Sequence, residues 1–213
     1  MAVPRTRLRR TVAALTLGVL APALTAAATA PVQAAPSPRP RSTAPGGTWS
    51  DLAGTSKQLD ITMQQQQNTN WCWAASGNTI ATWFGYGYSQ NQFCNAAFGR
   101  SSTSACPNNQ ASLGDVQNAF GRIGVNPGTY VTGYLRYATV QTEVNADRPV
   151  ETRIQWSSGG GHMHVLYGYD TSSNWVYWGD PWPSDYRYNW ADYSYYVSNG
   201  SFSWTHSLYR IGA

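Results

Sequence analysis

The stretch Trp71-Cys72-Trp73-Ala74-Ala75-Ser76 follows a run of four glutamines at residues 64–67. Between them, residues 68–70 are Asn, Thr and Asn, which favour helix N-caps, and apolar residues then recur at helical spacing as far as Phe84. This pattern predicts a helix that begins near Cys72 and is ended by the glycines that follow Phe84. A cysteine in the first turn lies at the positive end of the helix dipole, which favours the nucleophilic thiolate.

The first 34 residues are typical of a secretory signal peptide. Four arginines precede an apolar stretch from Val12 to Leu24, and Val32-Gln33-Ala34 has the small-residue pattern of a cleavage site. The apolar stretch is shorter than the roughly 20 residues that a membrane-spanning helix needs. Residues 35–57 are rich in Pro, Ser, Arg, Gly and Thr, which predicts a disordered linker or short pro-segment. We therefore expect a secreted, extracellular protein with one folded domain at residues 58–213.

The charge of the chain after the expected signal peptide argues against a polyanionic partner. Four of the 14 basic residues lie in the expected signal peptide and all 10 acidic residues lie after it, so the remaining chain carries ten of each and is formally neutral. No run of Lys or Arg appears after residue 41. We expect no nucleic-acid partner, no membrane partner after signal cleavage, and a monomer.

Three cysteines in an exported chain suggest one disulfide and one free thiol. Cys94 and Cys106 bracket a short polar segment, which favours their pairing with each other. The sequence alone leaves open a bond between Cys72 and either of them. A thiol kept free in an oxidising compartment suggests that Cys72 is used chemically.

The order of elements indicates an α+β domain, with helices first and a sheet second. Ser112-Leu113-Gly114-Asp115 has the form of a capping box and starts a second helix, and a weaker helix is expected at 139–146. From Pro149 the apolar period becomes two, which predicts strands near 150–156, 162–169, 175–178 and 203–211.

A thiolate nucleophile needs a base and a group that orients the base. The chain has three histidines. His162 opens a strand after three consecutive glycines, where its side chain can face a cleft, and His164 points to the same face two residues later. His206 lies in an alternating aromatic strand and is interpreted as a packing or surface residue.

The orienting group is predicted to be Asp180, and the oxyanion is predicted to be held by a glutamine. Asp180 ends the strand that follows His162, although an Asp before Pro181 is also a common turn residue. Acyl transfer creates an oxyanion, for which the backbone N–H of Cys72 and a side chain of residues 65–67 are candidate donors. The alternative for the glutamine run is a solvated loop.

Three separated motifs resemble those of a papain-like cysteine peptidase. They are Gln66 with Asn70-Trp71-Cys72-Trp73-Ala74, then Gly160-Gly161-His162-Met163-His164-Val165-Leu166-Tyr167-Gly168-Tyr169, then Trp178-Gly179-Asp180-Pro181. The chain is most similar to the compact bacterial branch that includes bacteriocin-processing peptidases and secreted effector proteases. The resemblance covers residues 58–182 and leaves the aromatic residues 186–196 unmatched. The short expected linker also has no room for the long inhibitory pro-domain of many papain relatives.

The resemblance implies both a fold and a site. The fold would be papain-like α+β, with an N-terminal helical half whose nucleophile helix packs on a C-terminal antiparallel β-sheet. The family places its oxyanion glutamine six residues before the nucleophile, which corresponds to Gln66, and its histidine six residues before the Gly of a Gly-Tyr pair, which corresponds to His162. Cys72 would be the nucleophile and Asp180 the orienting acid.

These expectations describe a thiol peptidase that hydrolyses peptide bonds of a protein or peptide substrate through an acyl-enzyme. No cofactor is expected, and no metal, because two histidines at i and i+2 on a strand with no completing motif make a poor metal site.

Three alternatives remain open at the level of sequence. A cell-wall amidase or endopeptidase of the small cysteine-hydrolase type would use His164 as its base. A transglutaminase-like acyltransferase shares the order Cys, His, Asp. A non-enzymatic carbohydrate-binding module would use the Trp- and Tyr-rich segment after Trp175.

Overall fold

The computed structural model describes residues 55–213. The expected signal peptide and most of the expected linker lie outside these residues. The end of the expected linker is included, and there Ser56–Gln58 form a strand, β1. Within the described residues, no helix is both long and apolar enough to cross a membrane.

The described chain places three helices before most of its sheet. After β1 come α1 (Cys72–Trp83), α2 (Gln90–Ala97) and α3 (Leu113–Ile123). The remaining elements follow in the order β2 (Thr129–Thr132), α4 (Tyr137–Asn145), β3 (Val150–Trp156), β4 (Gly161–Asp170), β5 (Trp175–Gly179), β6 (Tyr188–Asp192), α5 (Tyr193–Val197) and β7 (Phe202–Tyr209).

The seven strands of the described residues form one antiparallel sheet in the order β2-β7-β3-β4-β5-β6, and β1 pairs with the end of β4. Helix α1 packs on β4, where the Ser76 hydroxyl donates to the Met163 carbonyl at 3.2 Å. The fold is therefore α+β with the Cys72 helix on an antiparallel sheet, which confirms the predicted fold class.

Helix α1 is buried over most of its length, including Trp73, Ile80 and Ala81. It begins at Cys72 as predicted, but its N-cap is Trp71, without a side-chain cap. Asn70 precedes this N-cap position, and its side-chain amide and its backbone N–H both donate to Asn108, at 2.9 Å each. The helix ends before Gly85, whose φ of +88° is the left-handed conformation that glycine adopts without strain.

Helix α2 was not predicted from the sequence. Its core-facing residues include Phe93, Cys94 and Ala97, and the rest of its turns are mostly Gln and Asn. A local signal was present, however, because Ser89 and Gln92 form a capping box, as do Ser112 and Asp115 at the start of α3. The ring of Phe93 then meets that of Phe120 edge-on in the core, with centroids 5.4 Å apart.

Candidate active site

The nucleophile candidate stands where α1 meets the sheet. Cys72 is half-buried and free, while Cys94 and Cys106 form the disulfide that was predicted. As the first residue of α1, Cys72 has a backbone N–H with no acceptor inside the helix. The thiol and this N–H are thus both available at the same helix terminus.

His162 is the base candidate, and it lies at the start of β4. The preceding turn requires glycine, because Gly159 and Gly160 have φ values of +94° and +81°. The buried ring stacks on Trp156 with centroids 6.2 Å apart, and Trp182 meets it edge-on at 6.0 Å. Two tryptophans therefore restrict the orientation of the imidazole, and sequence analysis had identified neither.

Asp180 contacts the Nε2 edge of the His162 imidazole. Its Oδ1 lies 2.8 Å from Nε2 of His162 and also accepts the backbone N–H of Trp182 at 2.8 Å. Only 5% of each of His162 and Asp180 is exposed, so their interaction is poorly screened by water. Since Asp180 occupies Nε2, Nδ1 of His162 is the ring nitrogen left for Cys72, whose proximity contributes to raising the pKa of His162.

The electrostatics of this pair follow from burial and charge. Burial alone would lower the pKa of His162, but the charge and hydrogen bond of Asp180, together with the contact to Cys72, raise it to about 10. Burial would raise the pKa of Asp180, yet His164 and His162 hold it well below its usual range. The favoured state is an imidazolium paired with a carboxylate.

His164 occupies a different place from His162. Its Nε2 is 3.2 Å from Oδ2 of Asp180, without a well-aligned hydrogen bond, and its Nδ1 is 3.2 Å from the Tyr196 hydroxyl. Burial lowers the pKa of His164, and the nearby Asp180 only partly offsets this. His164 is therefore a neutral, buried imidazole directed at Asp180.

Gln66 is buried and is joined to the acid-bearing loop, because its backbone N–H donates to the Pro181 carbonyl at 2.9 Å. Its side-chain Nε2 donates to the carbonyls of Asn68 and Thr69, at 2.9 Å each, and its Oε1 is buried without a partner. In this resting arrangement both amide hydrogens are engaged. Serving an oxyanion requires Gln66 to release or share one of them.

The loops that carry Gln66 and Asp180 enclose a surface pocket of about 330 Å³ beside the site, lined by residues 66–69 and 182–184. Its volume is at the lower end of the range for small-molecule sites.

One group among the described residues satisfies the spacing of a metal site. The candidate ligand atoms of His162, His164 and Asp180 all lie within 4.8 Å of one another. His162 and Asp180 are already in direct contact, and this cluster coincides with the base and acid candidates rather than forming a separate site.

No curated protein matches the chain. Among solved structures, the chain is similar to a double glycine motif protease from an AMS/PCAT transporter in complex with the leader peptide. That similarity has 15% identity and a TM-score of 0.47, and it covers 73% of this chain and 94% of that one.

The model of the papain-like cysteine protease AvrRpt2 family matches residues 55–197. The matched region contains Cys72, His162 and Asp180, and it extends through the aromatic residues 186–196 that the sequence motifs left unmatched. Since this match covers more than half of the chain, the chain belongs to the papain-like cysteine protease AvrRpt2 family and is a cysteine peptidase.

Proposed function

We propose that this cysteine peptidase is secreted and hydrolyses peptide bonds through a triad of Cys72, His162 and Asp180. The proposal is carried by one observation, the buried contact of 2.8 Å between His162 and Asp180, and Cys72 is near enough to the same imidazole to raise its pKa. The orienting acid thus lies at one nitrogen of the base and leaves the other nitrogen for the nucleophile, which is the arrangement that acyl transfer requires.

In the proposed reaction, the Cys72 thiolate attacks the carbonyl carbon of the scissile peptide bond. The His162 imidazolium then protonates the departing amine as the C–N bond breaks, leaving a thioester. Water attacks the thioester, His162 accepts its proton, and the C–S bond breaks to release the new carboxyl group. Asp180 holds the imidazole and stabilises its charged form throughout.

The oxyanion is assigned to the Cys72 N–H and the Gln66 side chain. The Cys72 N–H has no helical acceptor, and the Gln66 amide gives up one of its two backbone carbonyls to donate to the oxyanion. A peptide substrate lies against the pocket formed by residues 66–69 and 182–184. Gln66 is preferred over its neighbours because it alone of residues 65–67 is buried beside the Pro181 carbonyl.

His162 is assigned as the base in preference to His164. Both nitrogens of His164 are directed elsewhere, to Asp180 and to Tyr196. This argues against the amidase arrangement that would use His164 as the base.

The decisive test is alkylation of Cys72 by iodoacetamide from pH 4 to 9, followed by mass spectrometry. We expect rapid, stoichiometric labelling at pH 5–6, where an ordinary thiol with a pKa of about 8.5 reacts slowly. His162→Ala should abolish the low-pH reactivity, while His206→Ala on β7, a matched control, should retain it. An unreactive Cys72 in the native protein would contradict the proposed triad.

Secretion rests on the sequence of residues 1–34 and agrees with the Cys94–Cys106 disulfide, because such bonds persist in oxidising compartments. The intact mass of the protein recovered from culture medium tests it. We expect a chain that begins at Ala35, and a full-length, cell-retained chain would contradict secretion.

A further inference from the structure

Two buried polar residues lie behind the proposed triad and have no role in the steps above. His164 and Tyr196 are 2% and 0% exposed. His164 bridges Oδ2 of Asp180 and the Tyr196 hydroxyl, at 3.2 Å each, and that hydroxyl lies 2.7 Å from Oγ1 of Thr152. A chain of polar side chains therefore runs from Thr152 on β3, through Tyr196 on α5 and His164 on β4, to the orienting acid Asp180.

The direction of each proton in this chain follows from its acceptors. An ionised carboxylate only accepts, so a neutral His164 that serves Asp180 carries its proton on Nε2. Its Nδ1 then needs a donor, which the Tyr196 hydroxyl provides, and Thr152 can donate to the Tyr196 oxygen in turn. Without the tyrosine hydroxyl, Nδ1 of His164 loses its donor, and the Asp180 carboxylate at 3.2 Å alone favours the proton on Nε2.

The surroundings hold both rings in place. Tyr196 packs against Trp178, with centroids 4.8 Å apart, and against Trp204 at 5.4 Å, while His164 lies 6.1 Å from Trp178. Aromatic rings of the Trp- and Tyr-rich C-terminal region thus pack around Tyr196 and restrict the position of its hydroxyl. Within residues 186–196, which the sequence motifs left unassigned, Tyr196 reaches His164, and Arg187 bonds to the backbone of Asp180.

We propose that His164 and Tyr196 are positioning residues. They hold the Asp180 carboxylate ionised and in the orientation that directs its Oδ1 at His162. The inference rests on the proposed function, because it assigns these residues a task only if Asp180 orients the base. The two oxygens of Asp180 have different partners: Oδ1 contacts Nε2 of His162 and accepts the Trp182 N–H, and Oδ2 faces His164.

The test compares Tyr196→Phe with Tyr193→Phe. Both variants lose one hydroxyl from the same helix, but the Tyr193 hydroxyl donates to the Leu135 carbonyl at 2.7 Å and is not part of the chain that ends at Asp180. We expect Tyr196→Phe to slow iodoacetamide labelling of Cys72 at pH 6 by about tenfold. Tyr193→Phe should change the rate by less than about twofold, since it leaves the donors to Asp180 intact.

A spectroscopic measurement separates positioning from general destabilisation. Imidazole ¹⁵N chemical shifts should show His164 protonated on Nε2 in the native protein and in Tyr193→Phe, and a mixture of both tautomers in Tyr196→Phe. His164→Gln, whose amide offers one donor and one acceptor, should retain more low-pH reactivity than His164→Leu, which offers neither.

Three results would overturn the inference: an unchanged labelling rate in Tyr196→Phe, native His164 protonated on Nδ1, or equal rates in His164→Gln and His164→Leu. Thr152→Val provides a second route that leaves the Tyr196 ring in place, and it should shift the tautomer ratio in the same direction. Failure of the proposed function would look different, because native Cys72 itself would be unreactive at low pH while the tautomer measurement still reports on His164.

Discussion

The nucleophile side and the base side of the site are held by different kinds of interaction. On the helical side, the buried side-chain amide of Gln90 on α2 bonds to the backbone on both sides of Gln66. It donates to the Gln65 carbonyl at 2.8 Å and accepts from the Gln67 N–H at 3.0 Å. On the sheet side, His162 is held by the buried carboxylate of Asp180.

This difference separates two ways of fixing a catalytic group. A neutral amide does not titrate, so the contacts of Gln90 to the backbone around Gln66 are independent of pH. The buried pair of His162 and Asp180 depends on two ionisations, whose pKa values are displaced in opposite directions. The pH dependence of the enzyme should therefore originate in the sheet, and substitutions on the two sides should be distinguishable by their pH profiles.

The largest expected effect comes from Asp180→Asn, which removes the charge from the sheet side. Without that charge, burial dominates and lowers the pKa of His162 from about 10, so the alkaline limit of peptide hydrolysis moves down by more than two pH units. The hydrolysis rate should fall by about 10²-fold or more, since the imidazolium needed during turnover loses the carboxylate that orients and stabilises it. Fluorescent casein hydrolysis between pH 4 and 10 measures both changes, and an unshifted alkaline limit would contradict the assignment.

The same pair makes the stability of the fold depend on pH. The lowered pKa of Asp180 contributes stability above the unfolded value of about 3.9, and that contribution is lost as the pH falls further. The raised pKa of His162 contributes stability that is complete below about 6.5 and is lost as the pH rises toward 10. Thermal unfolding should therefore separate native protein from Asp180→Asn most strongly between about pH 4 and 6.5. A pH-independent difference would contradict this linkage.

A smaller effect is expected on the helical side from Gln90→Leu. Loss of the amide releases the backbone around Gln66, and we expect casein hydrolysis to slow by about tenfold with no change in its pH limits. Gln117→Leu is the matched control, because this α3 glutamine donates to the Gly128 carbonyl at 3.0 Å, outside the site.

A double variant shows whether Gln90 acts through Gln66. In a Gln66→Ala background, Gln90→Leu should have little further effect on the rate, because the donor that it positions is already absent. Additive losses would mean that Gln90 supports the fold alone.

The parts of the site that sequence analysis placed correctly are those with local signals. Cys72 at a helix start and His162 at a strand start were placed by apolar periodicity, N-cap residue types and consecutive glycines. The expected N-cap was wrong: the N-cap residue is Trp71, and Asn70 donates to Asn108, a residue 38 positions away. Local patterns thus located the elements but not the tertiary contacts that compete for their polar groups.

The supporting residues were missed for the same physical reason. Gln90 reaches the Gln65 carbonyl across 25 positions, and Tyr196 reaches His164 across 32. No periodicity or spacing records such a contact, since it exists only after the chain has folded. The capping box at Ser89 was readable in the sequence and would have identified the helix that carries Gln90.

The smallest expected effect tests whether every buried carboxyl group on the sheet side stabilises the protein. Glu151 of β3 is completely buried between Val165 and Leu208 on the neighbouring strands, and neither carboxyl oxygen has a hydrogen-bond partner. Burial first, and the nearby Cys72 second, raise the pKa of Glu151 well above its usual value, so the folded protein holds this acid protonated.

We expect Glu151→Met to raise the free energy of unfolding by about 1–2 kcal/mol at pH 7, because it removes two unsatisfied buried oxygens. The sign of the pH dependence follows from linkage: the unfolded glutamate ionises above about pH 4.3 while the folded one keeps its proton, so native stability falls as the pH rises. The advantage of Glu151→Met should therefore grow from pH 4 to 8 in urea unfolding. A variant that is less stable than the native protein throughout that range would contradict this expectation.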